Sequence, residues 1–205
     1  MGSAMNMGCL SSMFLSLFVL GCASNGGPVF VDAEWNLTCP SGGAAGCGSL
    51  AEQTCLGPVG QRAIVGEHRQ TLCTGDALIA TCTTVPRADG ATDVSLEAEA
   101  DRDEMGFPKF AFELGAKIRP GNGSVESCNV NIIEDGVPYN VGACGVEPPS
   151  MEQPCQLSNV SIAGDEVAFD LGCNALMSSI TTLGFDVGGI GGGPATIRFS
   201  NCSGL

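Results

Sequence analysis

The fold is decided by two neighbouring stretches, VSLEAEA at residues 94–100 and FAFELGAKIR at residues 110–119. In both stretches every even-numbered residue is apolar. This period of two predicts half-buried β-strands, because successive side chains of an extended chain point to opposite faces. The loop Asp103–Pro108 would join them as a hairpin. Carboxylates on the odd face of the first strand would then lie opposite Lys117 and Arg119 on the second.

Further strands are expected wherever short apolar and β-branched runs lie between turn residues. Glu134-Asp135-Gly136 and Ala163-Gly164-Asp165-Glu166 are such turns. The second turn would bring Cys155 close to Cys173, which makes this pair the best single disulfide prediction. Many short strands without a long amphipathic helix predict an all-β protein, a disulfide-stapled antiparallel β-sandwich or barrel. The remaining strands are expected at residues 29–38, 62–72, 77–85, 128–133, 137–141, 155–162, 167–173 and 195–200.

One or two short helices are expected beside these strands. Ser49 and Glu52 have the spacing of a capping box, and Asn174 is placed to cap a helix over residues 175–183. The glycine-rich segment 184–194 lacks the Lys-Ser/Thr ending of a phosphate loop. It is expected to be a mobile connection.

The N-terminal apolar run, residues 10–20, is too short to span a bilayer, which takes roughly 20 residues. Its length is that of a signal-peptide core. The run ends in Val19-Leu20-Gly21-Cys22-Ala23-Ser24. This sequence resembles the lipobox of bacterial lipoproteins, in which an aliphatic residue, a short residue and Gly or Ala precede the lipidated cysteine.

The resemblance implies cleavage before Cys22, a diacylglyceryl thioether on its sulfur and an acyl chain such as palmitate on its amino group. Residues 1–21 would be the signal peptide, 22–28 a lipidated tether and 29–205 a single β-rich domain. Ala23 is not the Asp of the inner-membrane retention signal, so we expect the outer membrane or the cell surface of the cell envelope. A cut after Ala23 would instead release a secreted protein.

Of the twelve cysteines, Cys9 leaves with the signal peptide and Cys22 is lipidated or lost. An even set of ten in an exported chain predicts five disulfides. No two cysteines are closer than eight positions, and a single histidine is present, so the chain lacks the ligand spacing of a zinc site. The ten are Cys39, Cys47, Cys55, Cys73, Cys82, Cys128, Cys144, Cys155, Cys173 and Cys202.

The net charge of −14 disfavours binding to nucleic acid or to anionic lipid, which carry the same sign. The acidic loop offers Asp101, Asp103 and Glu104 as weak calcium candidates. Arg102 lies among them and the spacing is not that of an EF-hand, so a solvated edge is the expected role. No cofactor or metal is expected.

Residues for catalysis are few. His68 is the only imidazole, no G-x-S-x-G motif occurs, and the even cysteine count leaves no thiol nucleophile. Only carboxylates remain, as in a glycosidase. Sugar sites usually offer aromatic platforms, and Trp35 and Tyr139, the only polar aromatics, are expected to pack in the core or at an interface.

These observations favour a membrane-anchored extracytoplasmic lipoprotein that is not an enzyme. It would act as a structural or binding module for an unknown protein or glycan ligand. The alternative is a secreted or surface hydrolase that works with two carboxylates.

Overall fold

A computed structural model of the chain describes residues 27–40, 46–47, 50, 54–119, 121, 123–145, 149–150, 153–178 and 180–204. These residues form twelve β-strands and no helix, so the all-β prediction is confirmed. The strands are β1 (Phe30–Thr38), β2 (Gly46–Cys47), β3 (Gln61–Glu67), β4 (Ile79–Pro86), β5 (Thr92–Arg102), β6 (Pro108–Arg119), β7 (Ser124–Glu134), β8 (Val137–Gly145), β9 (Cys155–Ala163), β10 (Glu166–Met177), β11 (Leu183–Gly188) and β12 (Ala195–Ser200).

All twelve strands belong to one sheet. The order β4-β5-β6-β7-β8 is a meander in which each strand pairs antiparallel with the next one in the chain. The order continues through β9 and β10 to β11 and β12, which both lie between β10 and β1, and β3 pairs with the other side of β1. The prediction of a purely antiparallel sheet is corrected at two places, since β8 pairs parallel with β9 and β2 with β11.

The predicted hairpin of β5 and β6 is present. Leu96 pairs with Leu114 and Ala98 with Phe112, and all four side chains are buried. The predicted charge complementarity is only partial, because Asp93 faces Lys117 but Glu97 faces Glu113. The alternation of apolar residues therefore predicted correctly which side chains are buried. It did not predict which charged side chains face each other.

The predicted turns are also present. Asp135 and Gly136, with φ of 49° and 76°, join β7 to β8, and Gly164, with φ of 58°, lies in the turn between β9 and β10. Consecutive left-handed residues make the tight turn that suits a twisted hairpin. These short connections keep β7–β8 and β9–β10 in register.

Three aromatic rings lie in a row across the interior. The ring of Phe112 on β6 lies 6.2 Å from Trp35 on β1 and 6.2 Å from Phe169 on β10. In the sheet order β6 lies four places from β10 and six from β1, so the sheet folds back on itself and buries one apolar core. The ring centroids of Tyr139 and Phe185 lie 4.7 Å apart, and Trp35 and Tyr139 are both buried, so core packing is the role found for the two polar aromatics.

The helix predicted after Asn174 is wrong. Strand β10 continues to Met177, and Leu176 pairs with Phe185 on β11. A bulge at Ala175, with φ of 52°, lets its N–H bond to Asp186 instead of to a helical carbonyl. Sheet pairing thus satisfies the backbone that a helix would have satisfied, whereas Ser49 and Glu52 lie outside the described residues.

The glycine-rich segment is not a connection throughout, which corrects a second prediction. Residues 184–188 belong to β11, and only residues 189–194 turn the chain back into β12. That turn is closed by hydrogen bonds between Gly189 and Gly193 (2.8 Å) and from Gly192 to Gly189 (3.1 Å). A Cβ at Gly184 would lie 2.8 Å from the Met177 sulfur and 3.1 Å from Leu176 O, so a larger residue there would require the neighbouring strand to adjust.

Four disulfides are described, namely Cys55–Cys73, Cys82–Cys202, Cys128–Cys144 and Cys155–Cys173. The last is the predicted pair. Cys39 is disulfide-bonded as well. The Cys82–Cys202 bond holds the end of the chain against β4, where the Thr84 N–H donates to Ser203 O (2.8 Å) and the Ser203 N–H to Cys82 O (3.0 Å).

Candidate binding surfaces

The loop between β5 and β6 projects two large apolar side chains into solvent. Met105 is 79% exposed and Phe107 is 63% exposed. We call this pair the apolar tip. Among the large apolar side chains that the structure describes as exposed, only here do two lie two residues apart in one loop.

Four hydrogen bonds fix the backbone of the loop that carries the apolar tip. One carboxylate oxygen of Asp103 accepts hydrogen bonds from the N–H groups of Met105 (2.9 Å) and Phe107 (2.8 Å). The Asp103 N–H donates to Phe107 O (2.8 Å), and the Gly106 N–H donates to Asp103 O (2.9 Å). The left-handed φ of 86° at Gly106 closes the turn. The two apolar side chains are therefore held outward by a fixed loop.

Arg102 ties this loop to the neighbouring strands. Its guanidinium donates to Gly106 O (3.0 Å) and pairs with Glu99, while its backbone N–H donates to Asp76 (2.9 Å). Burial raises the pKa of Glu99, Glu97 beside it acts in the same direction, and Arg102 opposes both. The base of the loop is thus an ion pair that is partly shielded from water.

A second surface is a polar groove on the outer face of β5, β6 and β7. Its volume is about 350 Å³. Glu97 and Glu113 face each other across the β5–β6 pair, and Asn131 follows on β7. The polar groups that line it are Ser95, Glu97, Glu113, Asn129 and Asn131, and no Lys or Arg lines it.

Hydrogen bonds run along the polar groove. Thr81 donates to Glu97 (3.2 Å), and the Asn131 amide donates to Glu113 (3.1 Å), while the buried Asn131 Oδ1 has no partner. Gly115 forms part of the floor, where a Cβ would collide with Asn129 Oδ1. The groove is rich in acceptor oxygens and suits ligands that donate hydrogen bonds.

An ion-pair network lies on the same face beyond the polar groove. Lys117 bonds to Asp89 (2.8 Å) and to Glu126 (2.7 Å), and Arg87 pairs with Asp93. The ammonium of Lys117 holds the pKa of Asp89 and of Glu126 below their ordinary values, and Arg87 does the same for Asp93. These cations are already neutralised and are poor anion ligands.

The weak calcium candidates are not assembled into a site. Asp103 caps the loop, one oxygen of Asp101 accepts the Arg102 N–H (2.8 Å), and Glu104 is exposed. Within the described residues, no three His, Cys, Asp or Glu side chains come together as a metal site.

His68 has a structural hydrogen bond. Its Nδ1 accepts the N–H of Ala80 (3.1 Å), which links the end of β3 to β4. This use of Nδ1 places the proton of a neutral imidazole on Nε2.

The lipidation prediction at Cys22 lies outside the described residues, as do the signal peptide and most of the tether. In the part of the chain that is described, no helix is long and apolar enough to cross a bilayer.

An ion pair inside the core was not predicted from the sequence. The side chains of Arg62 on β3 and Glu134 on β7 are both fully buried, with Arg62 Nε donating to Glu134 Oε2 (3.1 Å) and Nη2 pairing with Oε1. Nη1 donates to Pro58 O (3.0 Å) and Gln61 O (2.6 Å), and the guanidinium lies 5.0 Å from the Phe110 ring centroid. The sequence held a signal for this pair, because Arg62 and Glu134 both occupy positions whose neighbour two residues away in the same strand is apolar and buried.

Comparison of the chain with protein-family models, with curated proteins and with solved structures finds no match.

Proposed function

We propose that the chain is an exported lipoprotein, anchored through Cys22 at the outer membrane or cell surface, that binds a partner without catalysing a reaction. The multiple disulfides fit an extracytoplasmic, oxidising location. The anchor itself rests on the lipobox resemblance. The architecture that we propose for the module is a two-layered β-sandwich or barrel, supported by the aromatic contacts between β1, β6 and β10.

The observation that carries the binding role is the apolar tip. Exposed Met105 and Phe107 cost solubility, and neither side chain packs into the core. The loop beneath them is prearranged by Asp103, so a partner would lose little entropy in ordering it. Large apolar anchors on a rigid support are the typical centre of a protein interface.

The expected partner is a protein with an apolar pocket and a basic rim. Met105 and Phe107 would fill the pocket, and Glu104 and the net charge of −14 would steer a basic surface towards the loop. A glycan would need polar groups at the same position. The apolar tip therefore favours a protein over a glycan.

The test places a photo-crosslinking amino acid at Met105 in the anchored protein in its own cells. A single discrete crosslinked protein is expected from Met105. The matched control places the same group at Val59, which is 58% exposed and belongs to a different loop. Equal products from both positions, or none from Met105, would contradict a specific partner.

A variant pair tests the chemistry of the interface. Met105→Ser with Phe107→Ser should abolish binding of the crosslinked partner, while Val59→Ser with Ile180→Ser should leave it unchanged. Both pairs remove two exposed apolar side chains, since Val59 is 58% and Ile180 is 68% exposed. Loss of binding in both would indicate non-specific adhesion.

The anchor has its own test, incorporation of a clickable palmitate analogue in a bacterial host. Cys22→Ser should remove the label. Label that persists in this variant would contradict the lipoprotein proposal without touching the binding role.

A second candidate function, a carboxylate-based hydrolase, is favoured by one observation. Glu97 and Glu113 face each other in the polar groove, as the two carboxylates of a glycosidase do across a scissile bond. Wild-type turnover of glycoside substrates that is lost in both Glu97→Gln and Glu113→Gln would favour this candidate. Turnover that survives either substitution would exclude these residues as its catalytic pair.

A further inference from the structure

Four cysteines lie in one row across four neighbouring strands. Cys128 on β7 is the register partner of Cys144 on β8, Cys144 is the partner of Cys155 on β9, and Cys155 is the partner of Cys173 on β10. The outer two pairs are the disulfides Cys128–Cys144 and Cys155–Cys173. We call these residues the cysteine row.

The two bridges of the row are neighbours inside the core. All four residues are buried, and all belong to the same apolar cluster, so their side chains share one face of the sheet. Adjacent strands lie roughly 4.8 Å apart. That spacing falls within the Cα separations that a disulfide spans. Cys144 and Cys155, the unbonded middle pair, are register partners on adjacent strands and therefore lie within the range that a disulfide spans.

We propose that the cysteine row is a site of internal thiol–disulfide exchange, in which opening either bridge lets the middle pair bond. Opening requires a reductant, here a dithiol, which is oxidised to its own disulfide as one bridge becomes two thiols. If Cys128–Cys144 opens, the Cys144 thiolate attacks the Cys155 sulfur. A Cys144–Cys155 bond forms, the Cys155–Cys173 bond breaks, and Cys173 leaves as a thiolate that takes up the proton lost from Cys144.

The exchange moves the covalent link from the outer pairs to the middle of the row. The β8–β9 pairing that it would reinforce is short, with only Cys144 opposite Cys155 and Gly145 opposite Gln156. The free thiols end on β7 and β10, three strands apart. One reduction event on either side thus produces the same product, with Cys128 and Cys173 free.

The test needs no reductant, because a substitution can supply the free thiol. In Cys173→Ser, Cys155 has no partner and lies beside the Cys128–Cys144 bridge. The folded protein is held at mildly alkaline pH, where a thiol is partly ionised, then quenched in acid, alkylated and mapped by non-reducing peptide mass spectrometry. A Cys144–Cys155 bond with free Cys128 is expected in roughly a tenth of the molecules or more, since exchange between similar sulfurs is close to balanced.

The mirror variant Cys128→Ser should give the same Cys144–Cys155 bond with Cys173 free. The matched control is Cys202→Ser, which frees Cys82, whose register partner on β5 is Leu96. In this control the row should keep both native bridges. Circular dichroism checks that each variant keeps its sheet, and an unfolded variant is replaced by its mirror.

Two results would overturn the proposal. One is a Cys173→Ser protein that keeps its fold and retains only Cys128–Cys144 with Cys155 free. The other is an equal yield of the Cys144–Cys155 bond in Cys202→Ser, which would mean that scrambling is general and not a property of the row.

Discussion

The meander β4–β8 and the remaining strands are held together in different ways. In the meander every strand pairs with its neighbour in the chain through a short turn, and the outer face carries ion pairs. The second region pairs β1 with β12 and β11, although more than a hundred residues separate them. Local turns cannot set that register.

This difference shows where the fold needs bonds between residues that are far apart in the sequence. The bond Cys82–Cys202 spans 120 residues, and the buried pair of Arg62 and Glu134 spans 72. Both join the meander to the other region. Bringing together residues that are far apart in the sequence costs more chain entropy than closing a short turn. Each of these two links offsets part of that cost between the two regions.

Removing the longest link should have the largest effect. The double variant Cys82→Ser with Cys202→Ser should lose about 5 kcal/mol of unfolding free energy, against about 3 kcal/mol for Cys128→Ser with Cys144→Ser, because the loop that each bond closes differs in length. Chemical denaturation of both variants measures the difference. Equal losses would mean that local packing, and not loop closure, sets the contribution of these bonds.

Breaking the buried ion pair should come next. Arg62→Met leaves Glu134 buried without its partner and should cost about 3–5 kcal/mol. The variant that also carries Glu134→Leu should recover most of the loss, since no uncompensated charge remains. A double variant as unstable as the single one would show that the hydrogen bonds to Pro58 and Gln61 matter more than the charge pair.

The smallest effect is expected in the surface network of the meander. Asp89 and Glu126 have pKa values below their ordinary 3.8 and 4.5 because Lys117 bonds to both. Such carboxylates stabilise the fold above their unfolded-state pKa, and this contribution is lost as the pH falls through the folded-state pKa. Lys117→Met should therefore lower the melting temperature at pH 7.

The same comparison at acid pH completes that test. Below the folded-state pKa values, wild type and Lys117→Met should melt together, because the carboxylates are neutral in both. The matched control is Lys109→Met, whose ammonium lies 3.9 Å from Asp101 and should matter less. A difference in melting temperature that persists unchanged in acid would assign the effect of Lys117 to packing.

The sequence predicted the β5–β6 and β9–β10 hairpins and the turn from β7 into β8, because alternation and turn residues are local signals. The burial of Leu96 and Leu114 follows from the alternation, and the Cys155–Cys173 disulfide follows from the turn between β9 and β10. It missed β11, since a glycine-rich strand has few side chains to show a period. It also placed a helix after Asn174, where pairing with β11 decides the conformation.

The candidate surfaces were predicted only in part. The loop of residues 103–108 was recognised, but as an acidic edge; the exposure of Met105 and Phe107 depends on how Asp103 caps the turn. The facing of Glu97 and Glu113 needs the register of two strands. The cysteine row needs four strands in order, which includes the parallel β8–β9 pair that no local pattern indicates.

Cys202 and Ser203 cover part of β4, and the order of synthesis leaves this strand uncovered for most of the time in which the chain is made. An uncovered β4 would offer unpaired N–H and C=O groups, a template for joining another chain and for aggregation. Ser203, which bonds to Cys82, is synthesised 121 residues after it. This part of the edge therefore stays open until Ser203 has been synthesised, and until then the chain depends on whatever shields it.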